Sequence, residues 1–316
     1  MKEIIKKIDR DLIEKELSKV RFVRKTNAGN NEIYIFTAQD SPILMDEVGR
    51  LREETFRSAG GGTGLAADID RFDTCEKPFH QLIVWNPEER EVVGGYRFIH
   101  GKDVKTDEKG YSNTPTGKLF RFSTQFVNDY LPYTVELGRS FVQPLFQVSK
   151  DQRKGLFALD NLWDGVGTLH VDYPDTHFFF GKITMYPHYN REARDILLKF
   201  MNLYFGDREK LVVPYKAVSV DWEAPFLKEL FVGNDYDKDY KQLVKEVRER
   251  EENIPPLVNA YMNLSLTMRV FGTSVNDSFG KVEETGILVT IRDIMEGKFK
   301  RYVTSYLEIR NERESS

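Results

Sequence analysis

One cysteine, Cys75, stands in 316 residues, so no internal disulfide can form and no thiolate-rich metal site can be built. The five histidines are scattered, with no His-Glu-x-x-His spacing, and no resident metal is expected. No apolar run approaches the roughly 20 residues that span a bilayer. The opening residues, Met1-Lys2-Glu3-Ile4-Ile5-Lys6-Lys7, lack the apolar core and cleavage site of a secretory signal. Both point to a soluble, cytoplasmic protein, with membrane contact limited to a peripheral touch. A positive field is missing too: the net charge is −4, which argues against general nucleic-acid binding. Internal repeats and low-complexity stretches are absent. What remains is an ordinary enzyme-like balance of 40% hydrophobic and 30% charged residues, long enough for a large core. The 22 Phe and 15 Tyr suit either that core or a pocket for an apolar ligand.

Periodicity gives an α/β order. An apolar stripe of Ile4, Ile5, Ile8, Leu12, Ile13 and Leu17 predicts an amphipathic helix over 3–18. A strand is expected at 32–37 and a second helix over 42–58, ended by Gly60-Gly61-Gly62, which opens a flexible loop. Strands at 81–85 and 92–99 flank Asn86-Pro87-Glu88-Glu89-Arg90, a hairpin turn by composition. Further on come helices near 155–170, 190–205 and 239–252, a strand at 177–185, a helix at 256–270, a strand at 287–291 and a last helix. The expected division is a helix and strand at 1–40, a core at 41–205 and an extension at 206–316.

The segment Val135-Glu136-Leu137-Gly138-Arg139-Ser140-Phe141-Val142 reads as a buried strand carrying a carboxylate and a guanidinium. Their odd spacing sends Glu136 and Arg139 to opposite faces of a regular strand; a bulge at Leu137-Gly138 brings them to one. Burying either charge unpaired costs several kcal/mol, on the order of an ion's desolvation. A reactive site and a structural ion pair both satisfy that constraint. Asp70 and Asp73 admit a solvated acidic turn as well as a binding role. Cys75, with no histidine placed to activate it, reads as a small buried residue. Farther along, Gln152-Arg153-Lys154-Gly155 places two cations before a helix start, a position that suits a phosphate.

Strand, phosphate loop, helix and strand resemble the N-acetyltransferase (GNAT) superfamily, although Phe157 stands where its loop pattern has Gly or Ala. The order Leu51-Arg52-x-x-x-Phe56, Asp70-x-x-Asp73, Gly95-Tyr96-Arg97 and Glu136-Leu137-Gly138-Arg139 resembles the acyl-homoserine-lactone synthases. It is more similar still to the ornithine N-acyltransferases and their hemolysin-type relatives, which the tail Ile254-Pro255-Pro256-Leu257 and Asp277-x-Phe279 also resembles. The resemblance implies a GNAT-like, mixed and mostly antiparallel twisted sheet flanked by helices, with a helical and stranded C-terminal extension. It implies transfer of a fatty acyl group, 3-hydroxylated in some relatives, from acyl carrier protein to an amino acid's α-amine in aminolipid synthesis. Glycine is the favoured acceptor and ornithine the next, in making glycine or ornithine lipids. Acyl-phosphopantetheine, on carrier protein or coenzyme A, is the co-substrate, and nothing is bound permanently.

The chemistry suits those residues. Glu136 is the expected base, since a carboxylate in a dry pocket titrates upward toward a useful range. Arg139 and Arg97 are forked donors for the acceptor's carboxylate or for orienting Glu136. Arg52, Phe56, Asp70, Asp73 and Arg97 form the expected acceptor site, and Gln152, Arg153, Lys154 and Gly155 the pantetheine-phosphate site. Lys150, Arg153 and Lys154 are the expected carrier dock, and the expected acyl-tunnel lining is Phe157, Leu159, Leu162 and Trp163 with one face of Phe178-Phe179-Phe180, either Phe178 and Phe180 or Phe179. An acetyl-CoA-dependent enzyme acting on a small amine is the main alternative, and a non-enzymatic, hemolysin-like membrane-active protein the remaining one.

Overall fold

A computed structural model describes residues 1–147 and 157–315. In chain order the main elements are α1 (Arg10–Glu16), β1 (Phe22–Lys25), β2 (Glu32–Phe36), α2 (Pro42–Ser58), α3 (Arg71–Thr74), β3 (His80–Asn86) and β4 (Glu91–His100). There follow β5 (Phe120–Phe122), β6 (Thr134–Val142), α4 (Ala158–Asp172), β7 (Phe178–Met185), α5 (Arg191–Phe205) and β8 (Val212–Pro214). The last are α6 (Tyr236–Glu249), α7 (Pro256–Met262), β9 (Arg269–Asn276), β10 (Val282–Thr290) and α8 (Ser305–Glu314). They form a mostly antiparallel sheet structure flanked by helices, and they divide into two units interleaved along the chain. Among the described residues no helix is long and apolar enough to cross a membrane.

The first unit comprises residues 1–104, 133–179 and those from Met295 onward. Its strands run β1-β2-β3-β4-β6, each antiparallel to its neighbour. β4 is buried along its whole length, so it reads Val92-Val93 and Phe98-Ile99 rather than as a half-polar alternation. At Gly94 a Cβ would stand 2.3 Å from the carbonyl oxygen of Phe141, so only glycine lets the strands approach this closely. α2 lies on the face shared by Gln81 and Arg97, and α4 on the opposite one, where Gly165 abuts Leu82. Gly167 lets the carbonyl of Tyr302 come close, which seats the C-terminal helical segment on α4.

α2 begins with Pro42, and the Glu16 carboxylate of α1 accepts from the backbone N–H groups of Ile43 (3.2 Å) and Leu44 (2.7 Å). The glycine loop after it is tied down rather than flexible. Glu53 accepts from Thr63 N at 3.0 Å, Thr63 Oγ1 at 2.7 Å and Gly64 N at 2.7 Å. These bonds and the Arg57 guanidinium outweigh burial and hold the Glu53 carboxyl below its ordinary range.

Three expected elements differ. The N-terminal helix spans only Arg10–Glu16, because earlier residues bond elsewhere: Lys2 N to Gly64 O at 2.8 Å and Ile5 N to Ala66 O at 2.9 Å. An extended segment can bury the same apolar residues. The helix expected at 256–270 stops at Met262, and β9 pairs with β10 from Arg269, which itself begins at Val282. Cys75 is exposed rather than buried.

The second unit comprises 105–132 and 180–294. Its strand order is β7-β10-β9, beside a two-stranded β5-β8 ribbon. Phe180 on β7 packs among Phe122, Phe126 and Phe271, ring centroids 5.6, 5.1 and 5.9 Å away. That is core packing rather than an open tunnel wall. Leu162 and Trp163 are likewise buried in the first unit, and Phe157 is exposed.

Candidate active site

β6 supplies the centre. Its register against β4 pairs Phe141 with Gly95 but Gly138 with Arg97, which leaves one extra residue on β6. The bulge is therefore at Arg139-Ser140, not at Leu137-Gly138. The residue with left-handed backbone is Arg139 itself, at φ 50°, and not the glycine before it. Glu136 pairs with Ile99, two residues from Arg97, so Glu136, Gly138 and Arg97 share one face of the sheet. The bulge turns Arg139 toward that face as well, where it meets Asp68 and Asp70. Glu136 is buried there.

Around this strand lies a network of three arginines and three aspartates. Arg97 Nη1 donates to Asp70 Oδ1 at 2.9 Å and to Asp73 Oδ2 at 3.0 Å, and its Nη2 donates to Asp70 Oδ2 at 3.0 Å. Arg52 Nη1 reaches Asp73 Oδ1 at 3.3 Å, while its Nη2 donates to Gln81 Oε1. Gln81 Nε2 returns a bond to Asp73 Oδ1 at 3.0 Å. Arg139 Nε and Nη2 hold the two oxygens of Asp68 at 2.7 and 3.0 Å. The Arg97–Asp70 contact matches guanidinium to carboxylate in two parallel bonds, while Arg139 holds Asp68 by one hydrogen bond and a close ion-pair contact. Phe56 lies under Arg139, 5.9 Å from ring centroid to guanidinium carbon, and Phe79 stands 5.2 Å from that of Arg97.

Local sequence explains why the aspartates sit so. Asp70 caps the single turn α3, accepting from Phe72 N at 2.8 Å, and Asp73 closes the box by accepting from Asp70 N at 3.0 Å. Asp68 is placed by its own N–H to the Gly49 carbonyl at 2.9 Å. Gly49 must be glycine, because a Cβ would stand 2.5 Å from Ile69. Asp70 and Asp73 are thus neither a solvated turn nor free carboxylates.

The electrostatics follow the pairing. Burial would raise the Asp73 carboxyl, but the Arg52 and Arg97 charges and the Asp70 N–H hold it well below the usual carboxylate range. Asp70 moves the same way, with Arg97 outweighing burial. Burial pushes Arg52 down, whereas Asp73 and Asp70 overcome burial at Arg97 and raise it. Exposure is graded: Arg52, Asp73 and Asp68 side chains are 0% exposed and Arg97 1%, against 15% for Arg139 and 29% for Asp70. Only the Arg139–Asp70 edge meets solvent.

The sequence pattern thus brings Arg52, Phe56, Asp70, Asp73, Arg97 and Arg139 into one network beside Glu136. Gln152, Arg153, Lys154 and Gly155, and with them Lys150, lie outside the described residues. Asp68 and Gln81 went unnoticed. Counted from the turn at 86–90, Gln81 faces Tyr96, and the register shift between Val84 and Trp85 sets it opposite Arg97 instead; Asp68 was reachable from its alternation with Asp70. Among the described residues no group of His, Cys, Asp and Glu can hold a metal.

A buried carboxylate on a bulged strand, with a guanidinium at the solvent edge of the same network, offers one group that can take a proton and one that can hold an anion. Residues 51–153 match the family model described as an acetyltransferase (GNAT) domain, and this fold implies a phosphopantetheine thioester as co-substrate. The chain is 52% identical over 308 residues to the glycine Nα-acyltransferase of Phocaeicola vulgatus, covering 98% of this chain and 94% of that one. It is 51% identical over 308 residues to that of Bacteroides thetaiotaomicron, covering 98% and 91%. No solved structure matches it. The chain belongs to the glycine Nα-acyltransferase family that these two proteins represent. It is an acyltransferase, which sets aside the non-enzymatic, membrane-active alternative.

Proposed function

We propose that this enzyme moves a long-chain, 3-hydroxylated fatty acyl group from acyl carrier protein to the α-amine of glycine, as a step of aminolipid synthesis. The observation that carries the chemistry is Glu136, buried on the face that holds the Arg97 network and three residues before the bulge. The name of the two relatives, at 52% and 51% identity, supports glycine over ornithine as acceptor.

The acceptor enters at the Arg139–Asp70 edge, its carboxylate on Arg139 and its ammonium beside Asp70. Glu136 takes a proton from that ammonium, directly or through one water. The freed lone pair attacks the thioester carbonyl and forms the C–N bond. Bulge residues Arg139 and Ser140 fall outside the paired register, so a backbone N–H there meets the developing oxyanion. Collapse breaks the C–S bond; the thiolate takes the proton held by Glu136, and the new amide nitrogen sheds its second proton through Glu136 to solvent. Arg52, Asp73 and Arg97 touch no substrate in this scheme; they fix Asp70 and the strand. The pattern Gln152-Arg153-Lys154-Gly155 receives the pantetheine phosphate, an assignment made from sequence.

Purified parent and Glu136→Gln enzymes, supplied with glycine and a carrier-protein series from acetyl to 3-hydroxyhexadecanoyl, test this. The parent's kcat/KM should climb with chain length, and the variant should lose roughly 10²–10⁴-fold in kcat at neutral pH. Near-parental turnover by Glu136→Gln refutes the base. A flat chain-length profile, or faster acylation from acetyl-CoA, returns the enzyme to short-chain acetyl transfer, and preference for ornithine replaces the acceptor.

A further inference from the structure

An exposed patch of the second unit has no part in that chemistry. β5 and β8 pair Phe120 with Pro214, Arg121 with Val213 and Phe122 with Val212. Phe120 and Phe122 point into the core, so Arg121 and Val213 point outward, and Tyr215 follows them two residues on. Tyr215 stacks on Tyr111, with ring centroids 5.4 Å apart and planes 18° from parallel, although the two residues are 42% and 53% exposed. Beside this pair opens a concave pocket of about 440 Å³, lined in part by Lys109, Arg121, Lys210 and Val127.

The side chains of these three cations make no hydrogen bond or ion pair, whereas neighbouring Lys216 and Arg269 are paired with Asp277 and Glu209. The acidic groups on the rim are Glu108 and Asp107. The Asp107 carboxylate is engaged by the backbone N–H groups of Lys109 and Tyr111, both at 2.9 Å. A net charge of −4 repels an acidic partner, so a local excess of unpaired positive charge stands out against the surface that surrounds it. Exposed tyrosines around an arginine are the composition of an interface centre rather than of a solvated face.

We propose that this patch docks the acidic surface of the protein that carries the acyl thioester, with Arg121, Lys109 and Lys210 taking carboxylates and Tyr111 and Tyr215 packing at the centre. The inference rests on the carrier-protein reading of the donor. Complementary charge of this kind raises the encounter rate and fixes orientation, while adding nothing to the chemical step.

The test uses the full enzyme, as Arg121→Glu/Lys210→Glu and, should that variant fold poorly, Arg121→Ala/Lys210→Ala. Each is assayed with the same acyl chain on carrier protein and on free pantetheine, at low and raised ionic strength. Turnover of acyl-pantetheine equal to the parent's shows an intact site. KM for the acyl carrier protein should rise roughly tenfold in the charge-reversed variant with kcat unchanged, and the parent's salt dependence should vanish from it. A carrier-protein KM within about twofold of the parent's overturns the dock alone. A parent that accepts acyl-pantetheine but not acyl carrier protein overturns the donor reading and the dock together.

Discussion

Asp73→Asn tests whether the arginine–aspartate network is a framework. Asp73 is fully buried and serves Arg52, Arg97, Gln81 and the Asp70 N–H at 3.3, 3.0, 3.0 and 3.0 Å. The amide keeps the shape but removes the charge between two buried guanidinium groups. Leaving buried charge uncompensated costs about 3–5 kcal/mol. For a chain of this size each kcal/mol moves Tm by roughly 2 °C, so a fall of roughly 6–10 °C is expected. The pH dependence fixes the cause. Because the folded Asp73 titrates below its unfolded range, its contribution is complete above the unfolded carboxylate pKa and fades as pH falls through the lower folded one. The gap between parent and variant should therefore be widest near neutrality and close in acid. Calorimetry and urea titration between neutral and acid pH measure it. A neutral-pH loss under about 1 kcal/mol, or a gap that widens in acid, refutes the argument.

Two further outcomes follow from the geometry. Arg139→Gly relieves a left-handed backbone worth about 1 kcal/mol and so should cost less stability than losing the Asp68 ion pair suggests, while KM for glycine rises sharply; a parental KM in steady-state assays contradicts this. His100 is held neutral, its pKa pushed down to about 4 chiefly by burial and then by Lys102, with Asp103 opposing and His80 adding to the depression. Its stabilising contribution is present above the unfolded pKa near 6.5 and fades as pH falls toward 4, so His100→Phe should flatten the pH–stability curve across that window. Denaturation midpoints at pH 7 and 4.5 that fall equally in parent and variant dismiss it.

Sequence reading succeeded where one local signal had no rival. The helix over 42–58 begins at Pro42 and ends before three glycines, and it stands at Pro42–Ser58. The turn at 86–90 forms with Asn86 Oδ1 accepting Glu89 N at 2.8 Å. It failed where tertiary pairing decides. Ile4, Ile5 and Ile8 fit a helix face, but backbone bonds to Gly64 and Ala66 win. In β6 the glycine drew attention to itself as the natural bulge, yet the cross-strand register places the kink two residues later, which no single-strand pattern encodes. The arginines and aspartates were legible as residues, and their pairing was not, because Asp68, Asp70 and Asp73 lie on the short segment leading into and through α3, whose approach to β4 is set by Gly49 and Gln81.

The left-handed bend at Arg139 restricts the mutational routes open to this enzyme. Glycine suits that backbone but offers no cation to Asp68, and lysine keeps a charge but neither the planar guanidinium that both bonds and pairs with Asp68 nor an easier backbone. Asparagine and aspartate tolerate the conformation and fall short of the contact. No single replacement at this position preserves both demands, so a lineage drifting toward a bulkier acceptor has its accessible steps at Phe56, Asp68 or Asp70, and position 139 is the last to change.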